Sequence, residues 1–448
     1  MFKNQLRGMK AFYALILGQI VSTVGSGMTR FGVGIWVFTE TGNAAAYSTL
    51  LFFAVLPLGL GSLVAGPIVD RFDRKRIMIT ANIVASLSTL VIASLYFTDN
   101  LAQWHLYLAL AINGVANSFV VPAINASVPL MVAKEKLGQA SGLTQLVQAA
   151  EAVLAPAIAG IIFGTFGLGA IFIADFVTFT ISIIALLIVL IPSPTEDDEE
   201  EQINLWRDFV MGLRTVANER GYIVLMGFGA LAGLLPGGFG YGLVTPLMLT
   251  FSTEEIAGLV IAMMGVGVTV GSIGLAATGG PARRMNGILL ATAGSGIGMM
   301  VISLRESAIL GGLGFLIIGL SLAFIMGLPR VIFQTKAPPI VLGRIFSIWT
   351  AITVTTQSAG ILLAGPVAER FIEPLMIADG ALATSFGELI GVGDGRGMAL
   401  IFLLSGCLLV VITLIATIMP SVRLLEDRIP DYEPDEKRKR NDAEPTLA

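Results

Sequence analysis

The sequence predicts an all-α polytopic membrane protein, with twelve transmembrane helices arranged as two pseudo-symmetric six-helix bundles. Three observations predict it. Of the 448 residues, 55% are hydrophobic and only 13% charged, whereas soluble domains carry about a quarter charged residues. The apolar residues gather in runs long enough to cross a bilayer core, which takes about 20 residues per helix. The basic residues then fall almost entirely on one side of the segments so defined. The same arithmetic excludes other classes. With 27 Lys+Arg against 31 Asp+Glu, there is no basic footprint for nucleic acid. Cys407 is the only cysteine and His105 the only histidine, which disfavours a disulfide scaffold and removes most metal and His-based catalytic schemes.

Lys3, Arg7 and Lys10 precede the first run, which reaches Phe38, is longer than the apolar core of a signal peptide and lacks a small-residue cleavage site. It therefore reads as an uncleaved span. Charged or Pro/Gly breaks place the twelve spans near 11–39, 46–69, 77–98, 104–131, 139–166, 169–191, 221–250, 255–279, 286–304, 308–334, 343–370 and 398–419. On this assignment 23 of the 27 Lys+Arg lie on the side of the N-terminus, and the exceptions are Arg30, Arg305, Arg370 and Arg396. Basic loops stay cytoplasmic, so both termini are expected inside.

The chain divides at its middle into an N-terminal bundle (1–191), a linker (192–220), a C-terminal bundle (221–420) and a disordered cytoplasmic tail (421–448). Pro192 and Pro194 end span six, and six acids follow from Glu196 to Glu201. Trp206, Phe209, Val210, Leu213 and Ala217 then recur at helical spacing opposite Arg207, Asp208 and Arg214, the pattern of an amphipathic helix on the inner membrane surface. The tail carries Lys437-Arg438-Lys439-Arg440, suited to anionic lipid. The outer segment 372–397 contains an apolar stretch, 381–390, expected to rest on the outer leaflet. The halves resemble each other: Gln148, Leu154 and Ala155 of span five align with Gln357, Leu363 and Ala364 of span eleven at an offset of 209. Such duplication suits a central cavity that opens alternately to each side.

Two motifs stand out. The loop between spans two and three reads Gly66-Pro-Ile-Val-Asp70-Arg71-Phe-Asp73-Arg74-Lys75-Arg76. Gly66 permits close helix approach, Asp70 can accept charge-assisted hydrogen bonds at a helix N-terminus, and the basic cluster can pair with acids. Between spans eight and nine, Gly279-Gly280-Pro281-Ala282-Arg283-Arg284 keeps glycine and arginines without the aspartate. In span five, Glu151 precedes Ala155-Pro156 and Ala159-Gly160. Glu151 lies about twelve residues into its span, or about 18 Å, just past the middle of a core of about 30 Å. An ionisable group at that depth is a functional candidate by default; it is read either as a proton carrier or as a structural carboxyl bonded to Gln145, Gln148 or a neighbouring helix. Arg30, about 10 Å further outward at helical rise, either pairs with Glu151 or snorkels to the outer interface. Gln19, Asn113 and Asn117 either form a polar stripe on a cavity or bond between helices. The glycines Gly237, Gly238, Gly240 and Gly242 soften span seven as a hinge.

The 66–76 loop resembles the signature of the major facilitator superfamily, with Asp73 where a second glycine is usual. Pro156 and Gly160 match that family's antiporter motif, a helix bend, while Glu151 replaces a glycine. Leu17-Gly18-Gln19, Ile35-Trp36, Thr41-Gly42 and Asp175-Phe176 resemble the macrolide-efflux branch, which is also similar to siderophore exporters and lysophospholipid transporters. The resemblance implies a monomeric secondary transporter of the plasma membrane that exports an amphipathic small molecule in exchange for protons. It needs no cofactor beyond the proton gradient and no partner beyond substrate and bilayer. In that reading Gly66, Asp70, Arg71 and Arg74 form the inner gate and Glu151 carries the proton. Gln19, Arg30, Asn113 and Asn117 line the cavity opposite Phe239, Tyr241, Phe324 and Met326.

Overall fold

The computed structural model describes residues 8–191, 205–429 and 431–432. Twelve helices are long and apolar enough to span a membrane: Gly8–Thr41, Ala44–Val69, Arg74–Phe97, Gln103–Met131, Lys134–Phe166, Leu168–Ile188, Arg220–Leu249, Glu254–Thr278, Arg284–Ser303, Ala308–Lys336, Val341–Met376 and Arg396–Ile418. Twelve crossings among the described residues put the start of the first span and the end of the last on one face, here called the terminal face, opposite the distal face.

Local chemistry explains the ends and breaks. Asn43 caps span two by accepting from the Ala46 amide, and Asp73 caps span three by accepting from Arg76. Asp73, which stands where the family motif has glycine, is therefore a helix cap. Span four breaks at Phe119, between helices Gln103–Ser118 and Val120–Met131, because Pro122 has no amide to give the Ser118 carbonyl. Span seven contains a wide turn over Gly233–Gly240. Pro236 interrupts the ladder there, and the glycines let the turn press on span eleven: a Cβ on Gly238 would lie 2.6 Å from the Gly360 Cα.

Each half has an apolar core of its own, and smaller clusters such as Tyr47, Leu51 and Ile361 cross between them. One cluster packs Phe12, Ile16, Met78, Ile124 and Phe179 of the first six spans, and another packs Tyr222, Ile288, Phe333 and Trp349 of the last six. Spans five and eight join the halves on one side and spans two and eleven on the other. These are equivalent positions under the duplication seen in sequence. Along the first seam a Cβ on Gly160 would meet the Glu254 carbonyl at 2.6 Å, and one on Gly265 the Ala152 carbonyl at 2.6 Å, while Gly258 abuts the Pro156 carbonyl. Along the second, Gly365 abuts Ala44 and Ala45, its amide donates to Ser48 (3.3 Å), and Glu369 accepts from the Ala44 amide. All of these contacts lie from mid-membrane to the distal face. Nearer the terminal face, Gly66, Gly138, Gly142, Gly274 and Gly343 look onto open space. The distal side is sealed and the terminal side is open.

Three expectations change. Residues 421–429 are folded: Val422, Leu425 and Ile429 are buried, with Ile429 against Gly221, and Glu426 accepts from the Met285 amide at 2.5 Å to cap span nine. The charged tail beyond 432 lies outside the described residues. The helix Leu205–Asn218 forms, but it buries Val216 and sets Gly212 against Arg344 and Ile348 of span eleven. It is docked to the C-terminal half, with Leu213 left 49% exposed; the side chains of Trp206 and Phe209 lie outside the described residues. The distal segment folds back onto the bundle, where Ile390 is buried and the fully buried Arg396 donates to its carbonyl at 2.9 Å.

Candidate functional site

Glu151 sits at the midpoint of the helix Leu137–Phe166 and forms an ion pair with Arg30 of span one. Gly27 brings the two helices together, because a Cβ there would lie 2.6 Å from the Ala155 Cβ and 3.2 Å from the Glu151 Cγ. Arg30 stands one turn beyond that contact and Glu151 one turn before it, an axial gap of about 10 Å at 1.5 Å per residue that the guanidinium side chain spans. Arg30 therefore reaches inward to the carboxylate instead of outward to the interface. The side chains keep 24% and 32% of their surface accessible, so the pair is open to exchange. Tyr241 of span seven stands within electrostatic reach of Arg30 and of Tyr47, which brings the C-terminal half to the pair. Tyr47 donates to Thr245 at 2.7 Å, tying the halves just distal to it.

Other predicted residues take different places. Gln19 is 1% exposed and donates to Ser182 (3.2 Å). Asn82 also donates to Ser182 (3.4 Å) and accepts from Ser22 (3.2 Å). Gln19 thus belongs to a buried network joining spans one, three and six and does not line the cavity in this state; the neighbouring hydroxyl satisfies its amide where the cavity would have left it wet. Asn113 and Asn117 remain half-buried and bond to each other, with Asn117 donating to the Asn113 side chain at 2.5 Å. Phe239 and Tyr241 are half-buried on span seven, and Phe324 and Met326 pack beside Ala232, Ala291 and Ile325 on span ten. Pro156 and Gly160 lie within a continuous helix, where they make the seam with span eight.

At the gate loop, a Cβ on Gly66 would meet nothing within 4 Å, so the close approach this glycine permits is not made with the terminal side open. Lys75 donates to the Val189 carbonyl (2.6 Å) and caps the end of span six. Arg74 buries its Nε and Nη1 without a hydrogen-bond partner among the described residues, and Arg71 is engaged. The Asp70 side chain lies outside the described residues.

Asp175 was not among the predicted site residues. It is fully buried on span six, and its Oδ2 accepts from Thr29 (2.7 Å) and Thr89 (3.0 Å) while Oδ1 has no hydrogen-bond partner among the described residues. Its signal in the sequence was an aspartate in an apolar run with Thr178 one turn on, the same kind of signal that singled out Glu151. Among the described residues no cluster of His, Cys, Asp and Glu could hold a metal ion.

The arrangement is that of a carrier: two six-helix halves, both seams closed on the distal side and the terminal side open, with an ion pair at mid-depth. The family model of the Major Facilitator Superfamily matches residues 15–365. The chain belongs to the major facilitator superfamily. Members of this superfamily move solutes, and the chain is a multi-pass membrane transporter, not an enzyme. It is 28% identical over 428 residues to macrolide efflux protein A of Streptococcus pyogenes, covering 93% of this chain and 97% of that protein. It is 25% identical over 389 residues to the enterobactin exporter EntS of Shigella boydii serotype 18, covering 86% and 91%. In fold it is similar to a bacterial homologue of the human lysosomal transporter Spinster in an inward-facing, unoccupied conformation, with a TM-score of 0.67 and 16% identity over 95% of this chain and 98% of that one.

Proposed function

We propose that this transporter is a monomeric, proton-driven exporter of hydrophobic or amphipathic small molecules in the plasma membrane, with the terminal face cytoplasmic. The observation that supports the proposal most is the Arg30–Glu151 pair at mid-membrane, whose side chains keep 24% and 32% of their surface accessible. A carboxylate released from its arginine by an arriving substrate or proton changes the charge of the cavity, which biases the two-state equilibrium between the open faces. The excess of Lys and Arg on the terminal face supports the orientation. The half-buried Phe239, Tyr241, Phe324 and Met326 offer apolar and aromatic surface, which suits an amphipathic ligand better than a sugar. The similarity to macrolide efflux proteins supports a macrolide-like substrate. A second reading, export of a siderophore, is supported by the similarity to the enterobactin exporter.

Proteoliposomes decide between these. Uptake of a labelled macrolide, a lipophilic cationic drug, enterobactin and a lysophospholipid is compared with and without an imposed pH gradient. Gradient-driven macrolide or drug movement is expected. Enterobactin movement alone would favour the second reading, and lysophospholipid movement indifferent to the gradient would overturn both.

A further inference from the structure

We propose that a phospholipid of the distal leaflet, with a primary-amine headgroup, binds in the seam between the halves beside spans five, eight and ten and holds the distal side shut. A groove of about 510 Å³ runs along this seam. One wall is Val153 and Ala157 of the N-terminal half, the other is Ala308 to Leu316 of span ten, and span eight forms the floor. Its surroundings, Leu259 (51% exposed), Leu313 (48%) and Ile309 (75%), are apolar and face outward into lipid. From Ile256 to Val266 the floor covers ten residues, about 15 Å at 1.5 Å per residue. That is about half of a 30 Å core, the depth of one leaflet.

At its distal end the groove shares Ile256 and Ala308 with a second, polar cleft of about 570 Å³ that contains Thr250, Ser252 and Glu306. The chemistry of that cleft selects the headgroup. Thr250 and Ser252 commit their hydroxyl protons to the Leu247 and Met248 carbonyls, at 2.8 and 2.6 Å. Both oxygens therefore keep lone pairs free to accept, with that of Thr250 set beside Gly395. The Glu306 carboxylate is 54% exposed, and its ion pair with the Arg396 Nε is long at 3.4 Å. A cleft of acceptors takes a group with several N–H donors, hence a primary ammonium; a phosphate monoester or a quaternary ammonium offers none. An acyl chain in the adjoining groove would touch both halves at once. Because the N-terminal wall leaves span eight when the distal side opens, such a lipid binds the closed state better and stabilises it.

The test uses the full chain in nanodiscs with equal parts phosphatidylethanolamine, phosphatidylcholine and phosphatidylglycerol, followed by mild detergent extraction and native mass spectrometry of retained lipid. Wild type is expected to retain phosphatidylethanolamine about tenfold over the other two, the ratio given by one modest charge-assisted contact. Gly312→Phe fills the groove from its span-ten wall, where a Cβ meets only Met263 at 3.5 Å, and is expected to lose the lipid. Ile309→Trp fills it from the rim and serves should that variant not fold. Glu306→Gln is expected to keep a lipid while losing the preference for the amine. Equal retention of all three lipids by wild type, or wild-type retention by a folded groove-filling variant, overturns the proposal.

Discussion

The two halves share a fold and differ in what holds their helices together. In the N-terminal half, polar side chains meet across helices: Gln19 and Asn82 converge on Ser182, Thr29 and Thr89 on Asp175, and Arg30 on Glu151. In the C-terminal half the buried threonines Thr292 and Thr413 turn back to their own helices, to the Ile288 and Leu409 carbonyls. There the helices approach through glycine, as at Gly238 with Gly360, Gly267 with Gly319 and Gly298 with Gly314. Directional bonds fix one arrangement, and in a low dielectric an unmade one is costly. Backbone contacts through glycine are close but non-directional, so they tolerate sliding. The comparison teaches that the N-terminal half is built to position charge and the C-terminal half to supply an adaptable, apolar wall.

The comparison is broken most severely at the seams, where no side chain can yield. Gly365→Leu drives a side chain into the backbone of Ala44 and Ala45. Overpacking of about 3 kcal/mol shifts a two-state equilibrium by more than a hundredfold, so the distal side should no longer close. Spin labels at Glu40 and Asp379, in a Cys407→Ser background, should report a longer distance in this variant than in the parent. An unchanged distance would mean that this seam does not set the conformation.

Next in size is the buried aspartate. Asp175→Leu strands the Thr29 and Thr89 hydroxyls and should cost about 2–4 kcal/mol, read as a lower thermal midpoint in detergent; Asp175→Asn, which still accepts from both, should cost about half as much. In the C-terminal half, Thr292→Val removes only a bond to its own helix and should cost less than about 1 kcal/mol. If the threonine variant destabilised as much as Asp175→Leu, the contrast between the halves would fail. Gln19→Leu should likewise cost about 1 kcal/mol and leave substrate preference unchanged, because Gln19 faces Ser182. A changed preference in transport assays would return it to the cavity wall.

The smallest expected effect is at the terminal face. Lys336 donates to Asp431 at 2.7 Å, and that hydrogen bond, with the ammonium charge, holds the Asp431 carboxyl below its ordinary value. A carboxyl depressed in the folded state stabilises above its unfolded value and loses that contribution as pH falls through its folded one. Acidification through the carboxylate range should therefore raise amide exchange at 425–432 slightly, and Asp431→Asn should abolish that pH dependence.

Much of this was legible in sequence because a bilayer imposes a strong period and length on every element. All twelve spans appear within a few residues of the hydropathy breaks, and the 209-residue offset anticipated that spans five and eleven occupy equivalent seams. Glu151 was legible for the same reason: a carboxylate in an apolar run has few possible neighbours, and Arg30 at compatible depth was one of them. What stayed hidden was rotation. Whether Gln19 faces a cavity or Ser182 depends on which side of span one packs on span six, and Gly18 set against Ala185 decides that. Asp175 escaped for a related reason, since its hydroxyl partners Thr29 and Thr89 lie on two other spans. The docked residues 421–429 were masked by the strongly charged stretch that follows them.

The central claim is that the N-terminal half carries coupling through Arg30 and Glu151. Proton release on substrate binding, measured in weakly buffered detergent solution with a pH indicator for wild type and Glu151→Gln, tests it most directly. From an acid starting pH, at which a proton has displaced Arg30 from the Glu151 carboxylate, substrate binding should let the ion pair re-form and so release a proton from wild type, with none from Glu151→Gln and substrate still bound by the variant. Equal release from both would show that the proton comes from elsewhere and that the Arg30–Glu151 pair is structural.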